Sequence, residues 1–574
     1  GFENIFFLDY MHRSFTKDKI EEIINLLTPE NAIVCLSSQT FTPEECTLVE
    51  PIYGTHFSLE PLSEAWCKLL AGEGVTNYVP VLPEKNLMIP KDLSIKPTNQ
   101  DSPTLPVLIE NTDSLVLYHL QSNKYEVPKV YFSLTICDNT LGYYSNQQVS
   151  AFYKIWSSLF TYVFRNADYS FDLASCSVSL SASTRGINIE IKCFSDTLQA
   201  ALAEITKYIG QMRTINDQPH FEDAKEKYIK NLENLLKSNP GTMLDNMLIH
   251  ILRDKQDPTE ETIRFVKEEV TWERFQYFNK QIFREAVRYY GVVMGNYTPT
   301  EAQTTVNSFI KSFELLYSPR SQMPESSLSH IRISNLPLGR RLVTVLPSQI
   351  VTEKNSAILI HYQFGPVDMT SLVNMSFITN FLKQKFFYEL RTKQQLGYSV
   401  SSGAEKDKGV IGFNFFIQSN HKSTEYCRKK IDEFISTALD LINNITHEEF
   451  SSIVDGMISS LKKPFSNLFE EAQYYWDEIA TGRLEFNHKS LREQKLIQLT
   501  PEEVKAFTKS LFLDLSKRLE LHLVPQSLLP SWHTEWTERV STAQQGGERI
   551  LPTKIECTKQ LKRSLDLYPI VAKK

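Results

Sequence analysis

A divergent internal repeat constrains this chain more than any other feature, because a repeated unit limits the fold at two places at once. "VTWERFQYFNKQIFREAVRYYGVVMGNYT", ending at Thr298, is matched by "LTPEEVKAFTKSLFLDLSKRLELHLVPQS", ending at Ser527. Phe275, Phe278 and Ile282 align with Val504, Phe507 and Leu511 at one constant separation. Both stretches place apolar residues at helical spacing and then run into an apolar strand. Earlier in each unit, "GINIEIKCFSD" and "GVIGFNFFIQSN" read as strands leading into helices, with Ser195 and Ser419 in corresponding places. Thr500-Pro501 with Glu503, and Thr446 with Glu449, predict capping-box helix starts.

A third instance survives only as an ending. "KIEEIINLLTPENAIVCLSS" sets Ile20, Ile23, Ile24 and Leu27 on one helix face, turns at Pro29 and predicts a strand from Ala32. The division expected is a closing remnant at 1–76, an extended Pro-rich linker at 77–103, one unit at 104–320 and another, with a tail, at 321–574. The class is α+β: tandem units of antiparallel-rich sheet, each packed with helices.

A length of 574 residues suits several cores, and a net charge of −7 argues against a general nucleic-acid binder. No apolar run is long enough to cross a bilayer, so no membrane partner is expected. Eight scattered cysteines without a CxxC favour reduced thiols and an intracellular, cytoplasmic setting. The sequons at Asn296, Asn374 and Asn444 are expected to stay bare in that setting. The absence of a leading Met suggests a processed or cut piece.

None of the twelve histidines belongs to an HExxH or HxxEH motif, so no metal site is expected in this chain. "FEEAQYYWDE" (469–478) reads as one wet helix face and one core face. What remains is "FFYELRTKQQLGYSV" at 386–400. Its residues fit a helix stop, with Gly397 left-handed and Arg391 and Lys393 at the negative helix end. They also fit a peptide-gripping corner, since Arg offers a planar donor fork and a Tyr beyond the stop can aim its hydroxyl outward.

"ELRTKQQLGYSV" resembles a signature in the C-terminal half of the insulin-degrading enzyme (insulysin) family, the inverted-zincin M16 metallopeptidases. "YGTHFSLEPLSEAW" (53–66) resembles the family segment that closes its second domain, and "IECTKQLKRSLDLYPIV" (555–571) its C-terminal tail. The resemblance implies an M16/LuxS-like fold forming one bowl-shaped half, and a zinc site in an N-terminal catalytic half that this chain lacks. It implies peptide substrates enclosed between two halves, no zinc bound by this chain, and a possible homodimer. By position, Arg391 would hold the substrate backbone, Tyr398 would donate a hydrogen bond near the scissile bond, and Phe387 would wall an apolar side-chain pocket. Arg165 stands at the place corresponding to Arg391 in the preceding unit, which lacks the Leu-Gly-Tyr pattern. A stand-alone peptide-binding or regulatory pseudo-peptidase is the alternative.

Overall fold

The computed structural model describes residues 15–38, 40–42, 44–72, 85–98, 101–122, 124–138, 147–183, 185–324, 330–513, 516–546 and 552–569. The chain divides into two compact units, Gly1–Lys85 and Asn86–Lys574.

In the first unit, α1 (Lys17–Asn25) precedes a short turn of 3₁₀ helix, Pro29–Asn31. The strands β1 (Leu48–Val49) and β2 (His56–Phe57) pair antiparallel, and α2 (Glu64–Leu70) follows, capped by the Ser63 side chain. The helix carries Ile20, Ile23 and Ile24 as expected but ends before Leu27, the strand from Ala32 is not formed, and 32–38 lie outside regular structure. A strand needs a partner row of backbone groups, and no described residue of this unit supplies one to 32–38. Ile23, Leu27 and Ile33 are correspondingly exposed, Ile33 at 97%.

In the second unit, β3 (Val107–Asn111), β4 (Leu115–Gln121) and β5 (Lys129–Asp138) lead into the long helix α3 (Gln147–Leu173). There follow β6 (Ser177–Ser183), β7 (Gly186–Phe194), and the helices α4 (Leu198–Arg213), α5 (Gln218–Leu236), α6 (Pro240–Leu252), α7 (Thr259–Glu269) and α8 (Trp272–Gln281). The series closes with β8 (Ala286–Gly295), α9 (Pro299–Tyr317) and β9 (Ser321–Gln322). The same succession then recurs: β10 (Arg340–Pro347), β11 (Ser356–Pro366), α10 (Met369–Phe387), β12 (Ser399–Asp407) and β13 (Val410–Ser419). The helices α11 (Thr424–Asn443), α12 (His447–Lys462), α13 (Leu468–Thr481), α14 (His488–Ile497) and α15 (Pro501–Phe512) lead to β14 (Lys517–Val524). The end carries α16 (Leu529–Gln545), β15 (Pro552–Lys554) and α17 (Thr558–Ser564).

The two large sheets share five corresponding strands (β4, β8, β5, β7 and β6 with β10, β14, β11, β13 and β12) and differ at the edge, where β3 and β9 belong to one and β15 to the other. One has the order β3-β4-β8-β5-β7-β6, with β9 beside β8; the other runs β12-β13-β11-β14-β10-β15. In each, one central pair is parallel (β4 with β8, β10 with β14), and the pairs on the other side of it are antiparallel. Register therefore bears out the repeat read from the sequence. Apolar periodicity does not show which sheet a helix covers. Tyr475, Trp476 and Ile479 of α13 join the core built on the first sheet, while Leu244, Leu248 and Ile251 of α6 join a core on the second. Each half thus lends a helix to the other's sheet, and "FEEAQYYWDE" is a seam between them. Burying side chains of this size stabilises by roughly 1.5–3 kcal/mol each.

The capping hydroxyls behave as expected at Thr446 and Thr500, which accept from the backbone of Glu449 and Glu503. The glutamates do not complete the box, however: Glu449 pairs with Lys385 at 2.7 Å and Glu503 with Lys495 at 3.1 Å. Of the linker, residues 77–84 and 99–100 lie outside the described residues; 85–98 form no helix or strand, and 86–98 are tied to the first sheet's unit. Asp196 accepts from the backbone of Lys91 and Asp92, and the Asn296 amide bonds Lys96 and Ser94. Asn296 and Asn374 are buried, which removes two of the three sequons as acceptors. No helix among the described residues is long and apolar enough to cross a membrane.

Candidate functional site

Asp368 caps α10 in a reciprocal box with Ser371, and Ile378, Phe381, Leu382 and Phe386 bury one face against the second sheet. The helix then changes pitch. Residues Tyr388–Lys393 form a π turn, with the Gln394 N–H donating to the Glu389 carbonyl at 3.0 Å. Such a turn inserts one extra residue and is a frequent feature of functional sites. The buried side chains of Leu390 and Leu396 pin the corner from inside, and the Leu396 N–H donates to the Leu390 carbonyl.

The corner turns by a different device from the one expected. Gln395, not Gly397, takes the left-handed conformation, with φ of 52°. Gly397 is required for another reason: a Cβ there would lie 1.8 Å from the carbonyl oxygen of Gln418 on β13. The glycine lets the backbone pass against the neighbouring strand before β12 pairs with it at Ser399.

This path gathers the three residues singled out by the sequence. The Arg391 guanidinium carbon lies 4.8 Å from the Phe387 ring centre and 5.3 Å from that of Tyr398, so the cation is sandwiched between two aromatic faces. Its Nε donates to the Tyr398 carbonyl at 3.1 Å, which leaves both terminal nitrogens without a partner among the described residues. Tyr398 is 86% exposed and its hydroxyl is unbonded among those residues; Phe387 is 40% exposed. The arrangement presents a fixed fork of donors beside a phenol and an apolar ring, a combination suited to a peptide carbonyl and its side chain.

Lys393 does not share the sandwich. It pairs with Glu389 at 3.1 Å, and the Gln394 amide also donates to that carboxylate. Hydrogen bonds from Gln394 and then Lys393 hold the Glu389 carboxyl below its ordinary range. Sequence reasoning missed Glu389, although a Glu four residues before a Lys on a helix is a usable signal.

Arg165 and Arg391 stand differently relative to the corners that follow them. In the first half, α3 turns at Ser175 (φ 53°), and the Cys176 N–H donates to the carbonyl of buried Phe171. Asp172 follows Phe171 as Arg391 follows Leu390, whereas Arg165 lies further back on the helix, over the Tyr162 ring.

Among the described residues there is no group of three or more His, Cys, Asp or Glu that could hold a metal ion.

Residues 2–265 match the family described as the middle or third domain of peptidase M16, and residues 377–476 the PQQ synthase PqqF-like C-terminal lobe domain 4. Nardilysin of Pongo abelii is 26% identical over 542 residues, 92% of this chain and 44% of that protein. Human insulin-degrading enzyme is 25% identical over 579 residues, 99% of this chain and 55% of its own length. The crystal structure of pitrilysin superposes with a TM-score of 0.76 at 16% identity, covering 97% of this chain and 56% of that one. The fold is thus that of pitrilysin-like M16 proteins. The first part of the chain thus carries the M16 middle-domain match, and most of its length is homologous to nardilysin and insulin-degrading enzyme. It spans about half the length of the curated relatives it matches.

Proposed function

We propose that this chain is the substrate-holding half of an insulysin-like zinc endopeptidase. Arg391, Tyr398 and Phe387 would grip a peptide whose cleavage depends on a metal carried by an HxxEH-bearing half. The observation that carries this is the guanidinium fixed between two rings, its terminal nitrogens without a partner among the described residues and the neighbouring Tyr398 exposed. A purely structural helix stop needs none of these groups exposed. Arg391 would hold a backbone carbonyl of the peptide, and Tyr398 would donate toward the scissile carbonyl as charge develops on it. One well-placed donor of that kind contributes about 3–4 kcal/mol, roughly a hundred- to thousandfold in rate. Phe387 would seat an apolar side chain beside them.

The test is a fluorogenic-peptide assay with metal analysis, on the purified chain and on its mixture with an HxxEH-bearing M16 half. The chain alone should be inactive and zinc-free, the mixture active, and Tyr398→Phe should cut turnover without moving the melting temperature. Stoichiometric zinc with chelator-sensitive cleavage by the chain alone would overturn the assignment. Peptide binding without any gain on adding the other half would favour a stand-alone peptide-binding chain.

A further inference from the structure

Cys176 and Cys193 face each other where β6 leaves the α3 corner. The ladder pairs Ser177 with Lys192, so the next residues outward, Cys176 and Cys193, are directly opposed. The type of pair follows from the third strand. The Ser195 N–H donates to the Pro128 carbonyl, so the backbone groups of Cys193, two residues back, also turn toward β5. The Cys176 N–H goes to Phe171 rather than across to β7. Cys176 and Cys193 are therefore a non-hydrogen-bonded pair, the arrangement that brings opposed Cα atoms to about 4.5 Å and side chains closest together. That spacing falls at the short end of the Cα range for a disulfide, about 4.4–6.8 Å.

We propose that Cys176 and Cys193 are a reversible dithiol that closes to a cross-strand disulfide under a peroxide oxidant. Packing alone does not call for sulfur here. In the second half the equivalent place, two residues before Ser419, is filled by Ile417 opposite Val400, both buried. In closure, the Cys176 thiolate attacks a peroxide oxygen, giving a sulfenic acid and releasing hydroxide, which takes up a proton. The Cys193 thiolate then attacks that sulfur; the S–S bond forms, the S–O bond breaks, and water leaves. Two thiol hydrogens are lost and one hydrogen peroxide becomes two waters. Cys176 reacts first because it stands at the start of the edge strand β6, whereas Cys193 lies on an interior strand. Both thiols are buried, and the hydrogen bond with Cys176 and then burial push the Cys193 thiol up. Closure therefore waits on fraying of the first residues of β6 and is slow beside reaction of an exposed thiol.

The test treats the native chain with graded hydrogen peroxide, quenches it, blocks free thiols in denaturant and maps peptides without reduction. Exposed Cys35 and Cys557 serve as internal standards. The expected result is a peptide pair linked through Cys176 and Cys193, two hydrogens lighter than the reduced pair and separated by dithiothreitol, with the circular dichroism of the chain unchanged. In Cys193→Val the link should vanish and Cys176 should be trapped as a sulfenic acid by dimedone. Both thiols remaining reduced at a dose that has fully oxidised Cys35 and Cys557 would overturn the proposal. Either one linking to a different cysteine would overturn it as well.

Discussion

The two halves of the larger unit build the same helix-to-strand corner and finish it differently. In the first, α3 runs to Leu173, turns at Ser175 and enters β6 almost at once. In the second, α10 passes into a π turn, turns at Gln395 and travels three more residues before β12 begins. The helix edge is acidic in the first corner, with Asp168 and Asp172, and cationic in the second, with Arg391 between two rings. A shared fold can therefore be kept by an inward backbone hydrogen bond between buried residues, Cys176 to Phe171 or Leu396 to Leu390. The outward residues are then free to diverge, and function is argued from those residues rather than from the fold.

The largest expected effect comes from the position that makes the second corner's longer path possible. Gly397→Ala drives a Cβ to within 1.8 Å of the Gln418 carbonyl oxygen, and neither partner is a flexible side-chain end. The strand or the corner must move, at a cost of about 1–3 kcal/mol or more. Arg391 and Tyr398 would lose their common geometry. In an assembled peptidase, turnover should fall further than with Tyr398→Phe, and the melting temperature should fall as well. The first corner has no such glycine, so Ser175→Gly should be nearly silent in both measurements. If Gly397→Ala retains activity and stability, the close approach to β13 is not what shapes this corner.

A smaller effect separates the two outward faces. Arg391→Ala should weaken peptide turnover by roughly ten- to a hundredfold, the worth of a charge-assisted hydrogen bond of about 1.5–3 kcal/mol. Stability should hardly change, because Tyr398 and Phe387 are exposed and the corner is pinned by Leu390 and Leu396. Asp172→Ala, at the equivalent point of the first corner, should leave turnover unchanged. Equal losses from both substitutions would mean that the first corner also meets the peptide.

How much of this the sequence disclosed depends on the range of the interaction. The repeat was legible because helix and strand periodicity survive divergence, and the register of the two sheets bears it out. Phe387, Arg391 and Tyr398 were legible as a group because one local turn brings them together. The role of Gly397 was not, since it is set by a strand that arrives twenty residues later, and the left-handed conformation falls on Gln395, a residue that does not announce it. The crossing of α6 and α13 was likewise hidden: an apolar stripe states that a face is covered, never by which sheet. The strand expected at Ala32 shows the same limit from the other side, for the pattern is present and the partner row is not.

The smallest effect tests the charge contrast itself. Burial, followed by repulsion from Asp172, raises the Asp168 carboxyl above its ordinary value. A carboxyl raised in the folded state holds its proton more tightly folded than unfolded, so its ionisation opposes folding at neutral pH and ceases to do so as pH falls. Asp168→Asn removes that ionisation. It should raise the melting temperature at pH 7 by no more than about a degree, because the group is largely solvated. The gain should shrink as pH is lowered through the carboxylate range and vanish once Asp168 is protonated in both states. Arg391→Gln in the second corner should show no such pH-dependent gain, since its cation is held by two rings and a carbonyl instead of facing a like charge. A gain from Asp168→Asn that persists at acid pH would trace to packing, and the acidic first corner would then differ from the cationic second one in sequence alone.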